Sequence, residues 1–262
     1  MDIHVANNEE FEELLEICTS VFSDSKDFIK NFYKTLNCTA YVLVDNAEVK
    51  SCLTLFETGK YMDKIVMTSY AICTKPDSSN KGYAGALVEY VRDKVIESGK
   101  LSLISPASKS LVSFYEKLGY SPYFYADENT IGANPDLPLA KMEQISVEEY
   151  NKRRNELLQG INHVEINNDV LKQISTQKDN EFDLFLVNEK DICILKKNEA
   201  FLLELIVNDE NYQNVASSIA NTINVNGIKF RSPAKSNSYI QSMLAGSEIK
   251  SNEKAYYGLP MD

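Results

Sequence analysis

The residue types best suited to chemistry in this chain lie between Met67 and Tyr120. Lys81-Gly82-Tyr83-Ala84-Gly85 follows a polar break, Lys75-Pro76-Asp77-Ser78-Ser79-Asn80, and leads straight into an apolar-periodic run with Leu87, Tyr90, Val91 and Val95 at helical spacing. The first N–H groups of a helix have no internal partner, and the helix dipole favours an anion in front of them. Gly82, Ala84 and Gly85 would let such an anion approach the backbone, and Lys81 adds positive charge. The preceding run, Met67–Thr74, is rich in β-formers. Its edge could pair with an extended, amide-bearing arm. A diphosphate carrying such an arm would satisfy both features, and coenzyme A is a ligand of that kind. Taken alone, a glycine-containing strand–helix turn also serves for plain packing.

The order strand, turn, helix (about 84–98), strand (101–105), helix (about 108–117) adds a second feature, Ser113-Phe114-Tyr115-Glu116-Lys117-Leu118-Gly119-Tyr120. With it, the stretch resembles the acetyl-CoA-binding core of the GNAT superfamily of N-acetyltransferases. The family's pattern of Gln or Arg, two residues, Gly, one residue, Gly or Ala maps onto Ser79, Gly82 and Ala84. Its Tyr followed by Lys-Leu-Gly and an aromatic maps onto Tyr115, Lys117, Leu118, Gly119 and Tyr120. The resemblance implies that the backbone of Ile72, Cys73 and Thr74 holds the pantetheine arm. It implies that Asn80, Lys81, Gly82, Tyr83, Ala84 and Gly85 hold the diphosphate, with Ser79 beside them and Ser108 at the start of the next helix. It implies that Tyr115 protonates the leaving thiolate. Ser79 departs from the family pattern, because a serine can hydrogen-bond a phosphate but adds no charge.

Acetyl transfer to an amine needs aligned reactants, an oxyanion donor, an acid and a base. The oxyanion donor expected here is a backbone N–H near Ile72. From spacing alone Tyr115 belongs to an apolar helix face with Leu111, Phe114 and Leu118, and only the resemblance gives it a catalytic role. The strand 67–74 carries no carboxylate. Glu57 and Asp63 lie just before it as loop residues, the C-terminal carboxylate at Asp262 could fold back, and a water chain could replace them all. Cys73 is read as strand packing rather than as a nucleophile.

Composition narrows the function classes. Hydrophobic residues make up 44% of the 262, enough for a packed core and ample length for two domains. The formal net charge of -11 and the lack of a basic run speak against nucleic-acid binding and would suit an amine substrate. Five cysteines, an odd number without metal-ligand spacing, read as free thiols in a reducing compartment, and two histidines leave little for a metal site or a His-based triad. No metal is expected. With no apolar run long enough to span a bilayer and no signal-like start, the expected location is the cytoplasm, without membrane partners.

Along the chain, a strand at Ile3–Ala6 precedes a helix capped by Asn7 or Asn8, with Phe11, Leu14, Leu15, Cys18, Val21 and Phe22 on one face. A helix at about 26–36 follows, then strands at 39–44 and 49–56 joined by Asp45-Asn46-Ala47-Glu48. Tyr123-Phe124-Tyr125 closes the first sheet, and Asp127-Glu128-Asn129 through Pro138 reads as a linker. The second half repeats the order of helical region, three-strand meander, helix, strand, with hairpin turns at Asn188–Lys190 and Lys197–Glu199 and further strands at Met243-Leu244 and Ala255–Leu259. It has no glycine turn; Asn208-Asp209-Glu210-Asn211 stands there instead and would repel a diphosphate.

The expected architecture is therefore α/β. Residues 1–130 would form a GNAT domain with a mixed, mostly antiparallel sheet flanked by helices, and 140–262 a smaller degenerate GNAT-like, or lipid-carrier-like, domain. The expected activity is acetyl transfer from acetyl-CoA, as co-substrate, to a primary amine of a small molecule or peptide. The alternative is a non-catalytic acyl-CoA-binding or structural protein. Oligomeric state stays open, a homodimer among the options.

Overall fold

The computed structural model describes residues 1–176, 182–196, 198–209, 211–235, 238–246 and 255–259. Lys197, Glu210 and Asp262, which entered the sequence reading, lie outside the described residues. The chain divides into two compact units, 1–122 with 242–250, and 123–241 with 251–262.

The first unit opens with β1 (Asp2–Val5), followed by α1 (Asn8–Phe22) and α2 (Lys26–Thr35). Asn7 caps α1: its side chain accepts from the Glu9 and Glu10 N–H groups, and the Glu10 carboxylate reaches back to the Asn7 N–H at 2.9 Å. The buried face of α1 is Leu14, Leu15, Ile17 and Cys18. Val21 and Phe22, expected on that face, are 43% and 42% exposed, because the helix ends in a left-handed Ser23 that carries its last turn off the sheet.

β2 (Thr39–Asp45), β3 (Glu48–Tyr61) and β4 (Lys64–Thr74) form an antiparallel meander. Both hairpins use two-residue turns with positive φ at each position, Asn46-Ala47 and Met62-Asp63. The second turn corrects the sequence reading: β3 runs on through Tyr61, so Glu57 stands in a strand and not in a loop. The β3–β4 register skips Thr58, whose hydroxyl meets that of Thr68, and the ladder resumes at Gly59↔Val66 and runs to Tyr61↔Lys64.

α3 (Tyr83–Glu97) crosses over to β5 (Leu101–Ile104), which lies parallel to β4. α4 (Lys109–Lys117) comes next. The sheet order is β1-β2-β3-β4-β5, and the far side of β5 is taken by Ser102–Ile104 pairing antiparallel with Met243–Ala245, the end of the last strand of the chain. One core lies between the sheet and α1–α2; α3 packs on β2 to β5.

The second unit contains most of β6 (Ser121–Gly132), then β7 (Met142–Gln144), α5 (Val147–Leu157), the two-residue β8 (Glu165–Ile166) and α6 (Asn168–Thr176). β9 (Phe182–Val187), β10 (Asp191–Lys196) and β11 (Phe201–Ile206) make its meander. α7 (Tyr212–Thr222) then leads to β12 (Gly227–Pro233), parallel to β11, and the chain goes on into β13 (Ser238–Ala245). Its sheet order is β6-β12-β11-β10-β9-β7. Asp127, Glu128 and Asn129 are not linker: they pair with Ser232, Arg231 and Phe230 inside the β6–β12 ladder. Their polarity is met by partners across the strands, with Glu128 2.6 Å from Lys229 and 3.1 Å from Arg231. No helix among the described residues is long and apolar enough to cross a membrane.

Candidate functional site

The site is built where β4 leaves the sheet. β4 and β5 stay paired from Val66↔Leu101 to Ser69↔Ile104, after which β4 runs on alone on that side to Thr74. On its other side β4 pairs with β3, but between Thr54↔Tyr70 and Cys52↔Cys73 one residue of β3 faces two of β4. This is a β-bulge at Ala71-Ile72, and Ala71 holds φ 48, a left-handed conformation that a residue with a Cβ seldom takes. The bulge has two consequences. Ala71 and Ile72 have no place in the register of either ladder, which turns their backbone groups away from ordinary sheet pairing. The bulge also keeps Tyr70 and Cys73 on one face despite their odd spacing, since an extra residue flips the alternation of the strand beyond it. Tyr70 stacks on Phe32 of α2 with ring centroids 5.1 Å apart, while Cys73 meets α1.

Past the bulge the strand is tied to β3 by Ser51. Its hydroxyl donates to the Cys73 carbonyl at 2.8 Å and lies 3.1 Å from the Thr74 hydroxyl. A single 3-10 turn at Pro76–Ser78 then carries the chain to Ser79, Asn80 and Lys81, all exposed. Asn80 (φ 61) and Gly82 (φ 82) both take left-handed conformations, so the loop folds sharply back onto the start of α3. Gly82 is the N-cap residue, and no side chain caps this helix. A Cβ at Gly82 would meet nothing within 4 Å; the glycine is required by its φ and leaves open space in front of the helix.

The sequence-singled residues do not all face one way. Tyr83 donates its hydroxyl to Asp45 at 2.8 Å, which pins the first turn of α3 to the end of β2. A Cβ on Gly85 would touch Leu118 at 3.7 Å and Phe114 at 3.9 Å, so its small size seats α4 against α3. Ser108 is the N-cap residue of α4, with its hydroxyl engaged by Ser110 at 2.8 Å. Arg92 of α3 donates to the Leu118 carbonyl at the end of α4. A Cβ at Gly119, where φ is 80, would come 2.7 Å from Arg92 Nη1, so this close seam needs glycine.

Tyr115 lies on the buried side of α4, with Phe114 at 5.2 Å and Tyr120 at 6.3 Å between ring centroids. Burial pushes its hydroxyl up to about 12, so the phenol keeps its proton throughout the physiological range. Glu57 and Asp63 are both exposed. Glu57 is opposite Met67, four residues before the bulge, or about 13 Å along the strand at the usual rise per residue; Asp63 is about twice as far.

Sequence reasoning missed the bulge and the Ser51 tether. An alanine in an apolar strand gives no local sign of positive φ, and Ser51 reveals itself only through the pairing register. It also missed that Cys18, Cys52 and Cys73, 34 and 21 residues apart in sequence, bring their sulfurs together.

Residues 60–129 match the family model described as FR47-like protein. A sequence search of curated proteins finds no significant match. By structure, the chain is similar to a GCN5-related N-acetyltransferase from Anabaena variabilis (TM-score 0.72, 15% identity, 93% of this chain and 72% of that one). It is similar also to a GCN5-related N-acetyltransferase from Kribbella flavida (0.68, 10%, 93% and 70%). An Enterococcus faecalis protein described as a probable N-acyltransferase matches at 0.71, with 12% identity over 93% of this chain and 72% of that one.

Proposed function

We propose that this chain, which has the fold of the GNAT N-acetyltransferases, moves an acetyl group from acetyl-CoA to a primary amine of a small molecule or peptide. The observation that carries this reading is the continuous run of bulged β4, sharp loop and glycine-capped α3. It sets unladdered backbone beside an uncapped helix start. An extended amide arm suits the first and a diphosphate suits the second.

In this reading Ile72, Cys73 and Thr74 hold the pantetheine arm by their backbone. Because Ser51 already occupies the Cys73 carbonyl on the β3 side, the arm pairs along the opposite, β5-facing edge. Asn80, Lys81, Gly82, Tyr83, Ala84 and Gly85 form the diphosphate loop, with the N–H groups of the first turn of α3 as donors and Lys81 as the flanking charge. Tyr83 and Gly85 act by fixing the loop and the α3–α4 seam. Ser79 stands at the loop's edge and Ser108 at the start of α4, both as neutral hydrogen-bonding groups.

The acetyl carbonyl lies by the bulge, where a backbone N–H at Ala71-Ile72 meets the developing oxyanion; a fixed dipole there costs no reorganisation. Tyr115 stands by the sulfur. Its hydroxyl lies above the ordinary thiol range of about 8.5, so it first stabilises the leaving thiolate as a hydrogen-bond donor. It completes the transfer only as the thiolate's charge draws the proton across. The amine loses its proton through water, because Glu57 and Asp63 stand too far along the hairpin for direct contact.

Ser79 gives one observation in favour of a second reading, a protein that binds acyl-CoA without turnover, because the exposed loop carries a neutral side chain where a charge or amide would grip phosphate. Calorimetric titration with acetyl-CoA, repeated with Gly82→Glu, tests the common part: binding to the wild type and its loss in the variant are expected. Acetylation of a primary-amine panel then separates enzyme from binder. Absence of binding to the folded wild type would sink both.

A further inference from the structure

Three of the five cysteines converge in the first unit. Cys18 comes from α1, Cys52 from β3 and Cys73 from the last stretch of β4, past the bulge. Their sulfurs stand 3.2 Å (52–73), 3.6 Å (18–73) and 3.9 Å (18–52) apart, and all three side chains are buried. The surroundings are apolar: Leu14, Leu15, Ile17, Ile29, Ala40 and Val42 share the same core. Cys38, half-buried with its thiol toward the Phe32 carbonyl, and Cys193, buried in the other unit, stand outside the cluster.

We propose that Cys18, Cys52 and Cys73 form a three-thiolate site for a thiophilic, trivalent centre of the arsenic(III) class. The triangle decides the size. A point equidistant from the three sulfurs lies about 2 Å from each, so an atom with a bond to sulfur near 2.3 Å, the length seen for soft thiolate complexes, sits slightly above the sulfur plane as a pyramid. The surroundings decide the charge. Three thiolates on a monovalent or divalent ion leave a net negative complex, which an apolar core disfavours strongly. Three thiolates on a trivalent centre are neutral. Such a centre is also complete with three ligands, whereas zinc prefers a fourth, and no fourth His, Cys, Asp or Glu joins the cluster among the described residues.

The binding step balances without an oxidant. Arsenous acid loses three hydroxyls, each of the three thiols loses its proton, three As–S bonds form and three waters leave. The bound centre ties α1 to β3 and β4 immediately behind Ile72 and Thr74, so it stiffens the strand that flanks the bulge. The inference stands independently of the acyl-transfer reading.

The test is native mass spectrometry of the full chain with arsenite, in a phosphine reductant that offers no competing thiol. One arm adds arsenite to the folded protein and another adds it during refolding. The expected result is one arsenic per chain with three hydrogens lost. Affinity should fall at least 100-fold in each of Cys18→Ala, Cys52→Ala and Cys73→Ala, and stay unchanged in Cys38→Ala and Cys193→Ala. X-ray absorption of the wild-type complex should show three sulfur neighbours, a readout that does not depend on any variant folding. No binding in either arm, retention of binding in the three triad variants, or fewer than three sulfur neighbours would overturn the site. Complete displacement of arsenite by zinc(II) alone would overturn its assignment to a trivalent centre.

Discussion

In the first unit the parallel pair β4–β5 is joined through α3, and in the second the parallel pair β11–β12 is joined through α7. Each pair follows an antiparallel meander, and each meander carries an irregularity in its last strand, at Ala71-Ile72 in β4 and near Leu203 in β11. The difference lies in what fills the turn before the helix. In the first unit the turn is Lys81 and Gly82, with open space beyond the glycine Cα. In the second, the N–H of Asn208 is already taken by the buried carboxylate of Asp191 at 2.9 Å, and the next residue, Asp209, pairs with Lys190. A protein carboxylate therefore already engages the backbone N–H at the start of that turn. Neither α3 nor α7 has a side-chain cap, so what separates the two turns is the acidic, carboxylate-bound stretch that precedes α7.

The strands differ in the same sense. β11 carries Glu204, fully buried beside the fully buried Arg154, whose Nε lies 3.0 Å from the carboxylate. Tyr150 donates to the same carboxylate at 2.8 Å, and the remaining guanidinium groups donate to the carbonyls of Val164 (2.9 Å) and Tyr257 (2.8 Å). Burial and the neighbouring Glu204 charge hold the Tyr150 hydroxyl well above its ordinary range, so it remains a donor. This network clamps the segment Ala255–Leu259 into the unit, and Gly258 at φ 88 fits there because a Cβ would overlap the Glu204 carboxylate and stand 2.9 Å from Arg154 Nη2. The interior of the second unit is thus occupied by an ion pair and by the segment 255–259.

The comparison breaks most visibly at that clamp. Glu204→Ala leaves Arg154 charged, buried and half-partnered, and should lower the unfolding free energy by about 3–5 kcal/mol in denaturant titration. A loss below about 1 kcal/mol would mean the network is not what holds the second unit. Next in size, Gly82→Glu places a carboxylate at the uncapped start of α3. Acetyl-CoA affinity should fall about 100-fold, or about 2.7 kcal/mol. Gly82→Ala, strained at φ 82 but uncharged, should lose far less, so equal losses would point to backbone strain rather than charge.

Tyr115→Phe should cost about 10²-fold in kcat with little change in acetyl-CoA affinity, while a change in affinity alone would assign Tyr115 to packing. Lys81→Ala should weaken binding only a few-fold, with the difference shrinking as salt rises, because the side chain is exposed. The smallest effect is at Asp191. Burial raises its pKa above the ordinary carboxylate value, so the folded chain holds a proton that the unfolded chain has released. Its contribution to stability is whole below about 3.9 and is lost as pH rises through the raised folded value. Asp191→Asn keeps an acceptor for the Asn208 N–H and should flatten the fall in stability over that window, as followed by thermal unfolding at several pH values.

Which elements form was legible in the residues alone. Period-2 and period-3.6 apolar patterns placed strands at 39–44 and 49–56, three more between 182 and 207, and the helices near them, because burying one face of each segment is a local demand. The small, charged turn before α3 was legible as well, since Gly82 permits the positive φ it takes and Lys81 carries charge. Other features depend on pairing between distant segments and emerge only in the folded chain. The bulge at Ala71 exists because Leu53 of β3 faces two residues of β4, and nothing in Tyr70-Ala71-Ile72 announces that register. Asp127–Asn129 became strand because β12 supplied Arg231 opposite Glu128 and Lys229 diagonally within reach of it. Met243 and Leu244 read as strand from their own residues, but only β5, some 140 positions earlier, fixes where they pair. The three cysteines read as unrelated thiols because sequence spacing reports ligand geometry only within one turn or hairpin. Here the hairpin, the bulge and α1 each bring one sulfur to a common point.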